Sequence, residues 1–214
     1  MEQRVNFADE RQVLHCVYCG GPAETIEHVP AKVFLDEPYP DNLPTIRVCK
    51  DCNASFSLDE EFVACLIEYL KSKGNIDNIT REKIKNIFAK KPNLNTLISK
   101  TIDTPVTNKR VENIFVKIAQ GHALFEQNEP QEDTTSLFFG KLENLTSEQR
   151  HSFEEPPDAS LSPEVGSRAS QRIIVSPYTA LPWIKVQNGI YRYLTFDGGV
   201  RMVYSEYIWC EIRW

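Results

Sequence analysis

The sequence predicts an α+β fold in three parts: a small metal-closed module, a helical middle and a small C-terminal antiparallel β-sheet. Three observations predict it. Two Cys-x-x-Cys pairs, CVYC at 16–19 and CKDC at 49–52, flank a 29-residue loop. Apolar residues recur at helical spacing between residues 57 and 125. The last stretch breaks into short runs rich in β-branched and aromatic residues, with an Asn-Gly pair between two of them.

At 214 residues and 41% apolar, the chain can bury one substantial core. No run approaches the roughly 20 apolar residues that span a bilayer. The start, MEQRVNFADERQ, is too polar for the apolar region of a signal peptide, so the cytoplasm is the expected location. Six cysteines, four of them in two close pairs, fit a metal site better than a disulfide framework.

A net charge of -6 argues against nucleic-acid binding by bulk electrostatics, but the charge is unevenly spread. Residues 1–62 carry 5 basic against 12 acidic side chains, whereas residues 71–125 carry 11 against 4. Residues 126–164 turn acidic again, and 165–214 are mildly basic. The basic block, with Lys71, Lys83, Lys85, Lys90, Lys91 and Lys117 among its cations, is the candidate for phosphate contact. The plain alternative is a solvated helix face.

Taken in order, residues 13–60 read as short strands and turns, with TIRVC a strand and CGGP and EPYPDNLP turns. A helix is predicted over SFSLDEEFVACLIEYLKSKG, capped by Ser57 with Glu60 three residues on and stopped at Gly74. ITREKIKNIFAKK predicts a second helix capped at Thr80. VENIFVKIAQGHALFE predicts a third, with Val111, Ile114, Phe115 and Ile118 on one face and its lysines elsewhere. The acidic stretch to Ser170 reads as loop, interrupted by a short helix capped at Thr146 with Gln149. RIIVSPY, WIKVQ, IYRYLTF, VRMVYSE and YIWCEIRW read as strands, with a hairpin at Asn188-Gly189. The organisation is then 1–74 module and following helix, 75–127 basic helical region, 128–170 acidic Pro/Ser-rich loop region, and 171–214 sheet packed with the helices as one domain.

Two Cys-x-x-Cys knuckles offer four thiolates, which is a tetrahedral donor set for structural zinc at Cys16, Cys19, Cys49 and Cys52. His15, beside Cys16, is then a bystander. Inside the loop the zinc would close lies IEHVPAK, and His28 there has three readings: packed filler, zinc ligand, or base of an active site. Asp59 and Glu60 read as acids placed at a helix N-terminus, with a carboxylate for a metal as the alternative. The tail aromatics, Trp183, Tyr191, Tyr193, Phe196, Tyr204, Tyr207, Trp209 and Trp214, read first as one core face of the sheet and second as a stacking or partner surface.

The order C-x-x-C-G, E-H-V-P-x-K, N-L, C-x-x-C-N and F-S-x-D-E-E-F over about residues 14–62 resembles the four-cysteine branch of the HNH endonucleases, which have the ββα-metal fold. The resemblance implies a metal-dependent endonuclease that hydrolyses phosphodiester bonds, in DNA more than in RNA, in a bacterial defence or mobile-element setting. It implies His28 as general base and Asn42 as the residue that orients it, with Asp41 the neighbouring substitute. It implies Glu27 and Asn53 as ligands of a catalytic magnesium or manganese ion, beside the structural zinc. Lys32, Lys83, Lys85, Lys90 and Lys91 are the candidate nucleic-acid contacts, and the C-terminal sheet is a candidate surface for a protein partner or homodimer. The alternative of another class is a non-catalytic zinc-ribbon module that binds nucleic acid or protein.

Overall fold

The computed structural model describes residues 14–41, 43–128, 136–156, 166–175 and 183–214. Strand β1 (Thr25–His28) pairs antiparallel with β2 (Thr45–Val48), and helix α1 (Lys50–Lys71) follows β2 directly. Then come α2 (Glu82–Lys90), α3 (Pro92–Thr101) and the long α4 (Pro105–Gln127). Strand β3 (Ser136–Lys141), α5 (Ser147–Glu154) and α6 (Arg168–Val175) precede β4 (Ile184–Gln187), β5 (Tyr191–Phe196), β6 (Gly199–Tyr204) and β7 (Ile208–Arg213). The C-terminal sheet is antiparallel throughout, in the order β3-β7-β6-β5-β4. Among the described residues, no helix is long and apolar enough to cross a membrane.

Helix α4 lies between the ribbon and the sheet. Its residues Ile114, Phe115 and Ile118 join one core that runs from Cys16 and Val48 through Phe62 and Ile84 to Tyr204 and Ile212. Gly121 lets α4 approach the ribbon, because a Cβ there would sit 2.8 Å from one methyl of Val29 and 3.0 Å from the other. On the sheet, period-2 alternation sends Tyr191, Tyr193, Val200, Met202, Cys210 and Ile212 into this core. The opposite face carries Arg192, Arg201 and Val203 and is covered by α5 and α6. The tail tyrosines 191, 193 and 204 are therefore core groups, as their first reading held.

Several elements differ from the sequence reading. Helix α1 starts seven residues before Ser57, because Cys49 Sγ accepts from the Cys52 N–H and caps it. A sulfur cap is invisible to a search for Ser, Thr, Asp or Asn. Ser57 instead donates to the Ala54 carbonyl inside the helix. Thr80 is not the cap of α2, which begins after Arg81, and α3 is an additional helix started by Pro92 at its first turn. RIIVSPY is helical as far as Val175: Ala169 and Ile173, four residues apart, pack on Leu194, and Arg168 and Arg172 reach the end of α4. The acidic loop region contains β3, whose Phe139 meets Phe115 edge-on at 5.6 Å. The capping box of Thr146 and Gln149 and the hairpin at Asn188-Gly189 are present, with Gly189 at φ +72° supplying the left-handed residue of the turn.

Candidate metal centre and the surroundings of His28

The first knuckle closes by Gly20 N–H donating to the Cys16 carbonyl at 2.8 Å and Cys16 N–H donating to the Gly21 carbonyl at 2.7 Å. The second is the turn from β2 into α1. Pairing of β1 with β2 brings the two together, so that the sulfurs of Cys16, Cys19, Cys49 and Cys52 all lie within 4.8 Å of one another. Cys19 and Cys49 are 3.8 Å apart. A tetrahedron with zinc–sulfur bonds of about 2.3 Å has edges of about 3.8 Å. The thiols also perturb one another. Burial and the neighbouring cysteines push Cys52 well up, while Cys16, though burial opposes it, is brought down to about 7 by backbone N–H groups around it. A divalent cation removes that conflict by stabilising all four thiolates together. The four cysteines therefore fit a zinc ion. Cys65 and Cys210 are buried free thiols in apolar surroundings.

His28 ends β1, opposite Thr45. It is half-buried, and burial followed by the charge of Lys32 holds its pKa below the usual histidine value. The ring is therefore neutral at pH 7 and able to take a proton. Glu27 does not stand beside it. Successive side chains of a strand face opposite ways: Ile26 is exposed and Glu27 is only 5% exposed, turned inward.

There the carboxylate meets Lys117 of α4, which also pairs with Glu60 of α1. Lys117 is 2% exposed and Glu60 7%. Burial raises the Glu27 carboxyl above the usual range, although the Lys117 charge opposes this. Its Oε2 is buried without a hydrogen-bond partner. Glu60, in the middle of α1 and not in its first turn, is a member of this buried cluster and has no part in a helix-dipole effect. Asp59 pairs with Arg110. The burial of Lys117 corrects the reading that α4's lysines lie off its apolar face.

Asn53 lies half-buried in the first turn of α1, where its N–H donates to the Cys49 carbonyl. Asn42 lies outside the described residues. Of the basic candidates, Lys83 donates to the carbonyls of Lys32 and Leu35, both at 2.9 Å, and to Tyr39 Oη at 2.5 Å. Lys91 is bound to Glu61 at 2.6 Å and Lys85 lies 3.4 Å from Glu82. Lys32 and Lys90 are exposed. An open cleft of about 750 Å³ between α2 and the β4–β5 turn is lined by Lys71, Lys83 and Lys90 and by the acids Asp36, Glu37 and Glu82, with Arg81 held by Asp36 and Glu68. Lys71, one of the cations of the basic block, lines this cleft together with Lys90.

No protein-family model, curated protein or solved structure matches the chain.

Proposed function

We propose that the chain is an HNH-type endonuclease in which a zinc-closed ββα unit presents His28 to a phosphodiester, with DNA as the favoured substrate. The observation that carries this reading is the position of a neutral, half-exposed histidine at the end of β1, in a hairpin that runs straight into a helix between two cysteine knuckles. The His28 ring accepts a proton from water, the water oxygen bonds to phosphorus, and the bond to the 3′ oxygen breaks. Zinc holds the hairpin and helix together and takes no part in the reaction.

A catalytic magnesium or manganese ion would offset charge on the leaving oxygen. Glu27 as it stands does not fit such an ion, because Lys117 occupies its Oε1 and the group is shut from solvent. The same commitment of Glu27, with that of Lys83 and Lys91 to internal partners, favours the second reading of a non-catalytic zinc-ribbon binding module.

Zinc-loaded protein incubated with supercoiled plasmid and with structured RNA, with magnesium, with manganese or with no added cation, separates the two. Cleavage by the wild type that His28→Ala lacks is expected. Equal products from both proteins, or no cleavage by either, overturns the nuclease reading.

A further inference from the structure

The cluster behind β1 gathers three elements that are remote in the chain. Glu27 comes from β1, Glu60 from α1 and Lys117 from α4, and both ion pairs converge on one ammonium, while the Tyr18 hydroxyl also faces the Glu27 carboxylate. Phe56 and Tyr18 close the space around the ammonium, with their ring centroids 4.7 Å and 5.7 Å from Nζ. Two carboxylates against one ammonium leave the cluster with an excess negative charge when all three groups are ionised. Two convergent carboxylates, one with an unpartnered oxygen, are also an oxygen donor set for a hard divalent cation.

Two cations therefore compete for one place. The ammonium is tethered to α4, so it is supplied without any loss of concentration, and its stem packs in the core as the helix forms. A magnesium or manganese ion would have to shed several waters and enter a cluster whose three charged groups are 2–7% exposed. The geometry favours the tethered cation.

We infer that Lys117 is the resident cation of the Glu27–Glu60 pair, and that these carboxylates form a divalent-cation site which stays closed while Lys117 is in place. The inference goes beyond the nuclease reading and stands without it. If cleavage occurs, the ion it uses is held by groups other than Glu27.

The test is metal binding, not cleavage. Zinc-loaded full-length proteins are titrated with Mn²⁺ and the free ion is followed by electron paramagnetic resonance. The Glu27→Gln isotherm is expected to match the wild type. Lys117→Met, which removes the charge and keeps the length, is expected to gain one Mn²⁺ per chain, and Lys117→Met with Glu27→Gln is expected to lose it again. Lys117→Arg, which keeps a cation, is expected to gain none. If Lys117→Met is unfolded without added cation, Mn²⁺ is expected to restore its far-UV circular dichroism. A wild-type Mn²⁺ site that Glu27→Gln abolishes overturns the inference, and so does a Lys117→Met protein that neither binds Mn²⁺ nor is restored by it. Because the readout is the bound ion, an inactive wild type leaves these outcomes unchanged.

Discussion

The ammonium of Lys117 rests against the carboxylate of Glu27, 90 residues earlier in the chain, and ties α4 to β1 inside the core. Removing one partner of a buried ion pair strands the other charge, which costs about 3–5 kcal/mol. Lys117→Met, measured in the absence of divalent cation other than zinc, is expected to lose that much in urea denaturation. The triple change Lys117→Met, Glu27→Gln and Glu60→Gln is expected to recover most of it, since no buried charge remains. A single mutant as stable as the wild type would show that the pair contributes nothing.

A second prediction concerns the same helix. Gly to Ala inside a helix gains about 1 kcal/mol from propensity, so Gly121→Ala would stabilise an isolated α4. In the protein its Cβ meets both methyls of Val29, a β-branched side chain that is stiff at χ1. Overpacking of this kind costs about 1–3 kcal/mol, which outweighs the gain. A lowered melting temperature in calorimetry is expected. A raised one would mean that α4 and β1 separate at little cost.

Much of this was legible in the sequence where spacing encodes geometry. The two knuckles, the hairpin at Asn188-Gly189 and the Thr146 capping box are local patterns, and each lies where its residues place it. What was illegible depends on partners far away. Lys117 reads as a surface cation until Glu27 and Glu60 face it, and Glu60 reads as a first-turn acid until Cys49 moves the helix start back to Lys50. Glu27 and His28 read as one catalytic pair, yet the strand between Thr25 and His28 turns them to opposite faces. RIIV reads as a strand because the helix spacing of Ala169 and Ile173 has meaning only against Leu194.

Zinc removal tests the module. The loop between the knuckles contributes Val29, Leu43 and Ile46 to the common core, so its release reaches beyond the metal. A chelator strong enough to strip thiolate-bound zinc is expected to release one ion per chain and unfold the first turns of α1, which Cys49 caps. For a chain of this size each kcal/mol lost lowers the melting temperature by about 2–4 °C, and a fall of about 10 °C or more is expected. An unchanged melting curve after complete zinc release would refute a structural role.

The pH profile of cleavage reports His28. Its folded pKa lies below the usual 6.5, first through burial and then through Lys32. The ring is thus a base across neutral pH, and the rate is expected to be flat near pH 7 and to fall about tenfold per unit only below the lowered pKa. Lys32→Glu reverses the neighbouring charge and should move that acid limb to higher pH. The same sign applies to stability: the unfolded chain takes up a proton at His28 more readily than the folded one, so stability is lost as pH falls below about 6.5. An acid limb that ignores Lys32→Glu would assign the titration to another group.

The free and the internally bonded lysines of the cleft should part in a binding assay. Lys90 and Lys71 line the cleft between α2 and the β4–β5 turn, and both are exposed. Lys83 has its three donors spent on two carbonyls and Tyr39. For each phosphate contact removed, the slope of log affinity against log salt falls by about 1. Charge reversal at Lys71 and Lys90 is expected to weaken DNA binding and reduce the slope by about 2. Lys83→Ala is expected to leave the slope unchanged and to lower the melting temperature, because the loop from Lys32 to Tyr39 loses its anchor. Fluorescence anisotropy over a salt series, read beside thermal melts of the same proteins, decides it. A slope that responds to Lys83 and ignores Lys71 and Lys90 would place the phosphate contacts at the Lys83 end of the cleft, beside the loop from Lys32 to Tyr39.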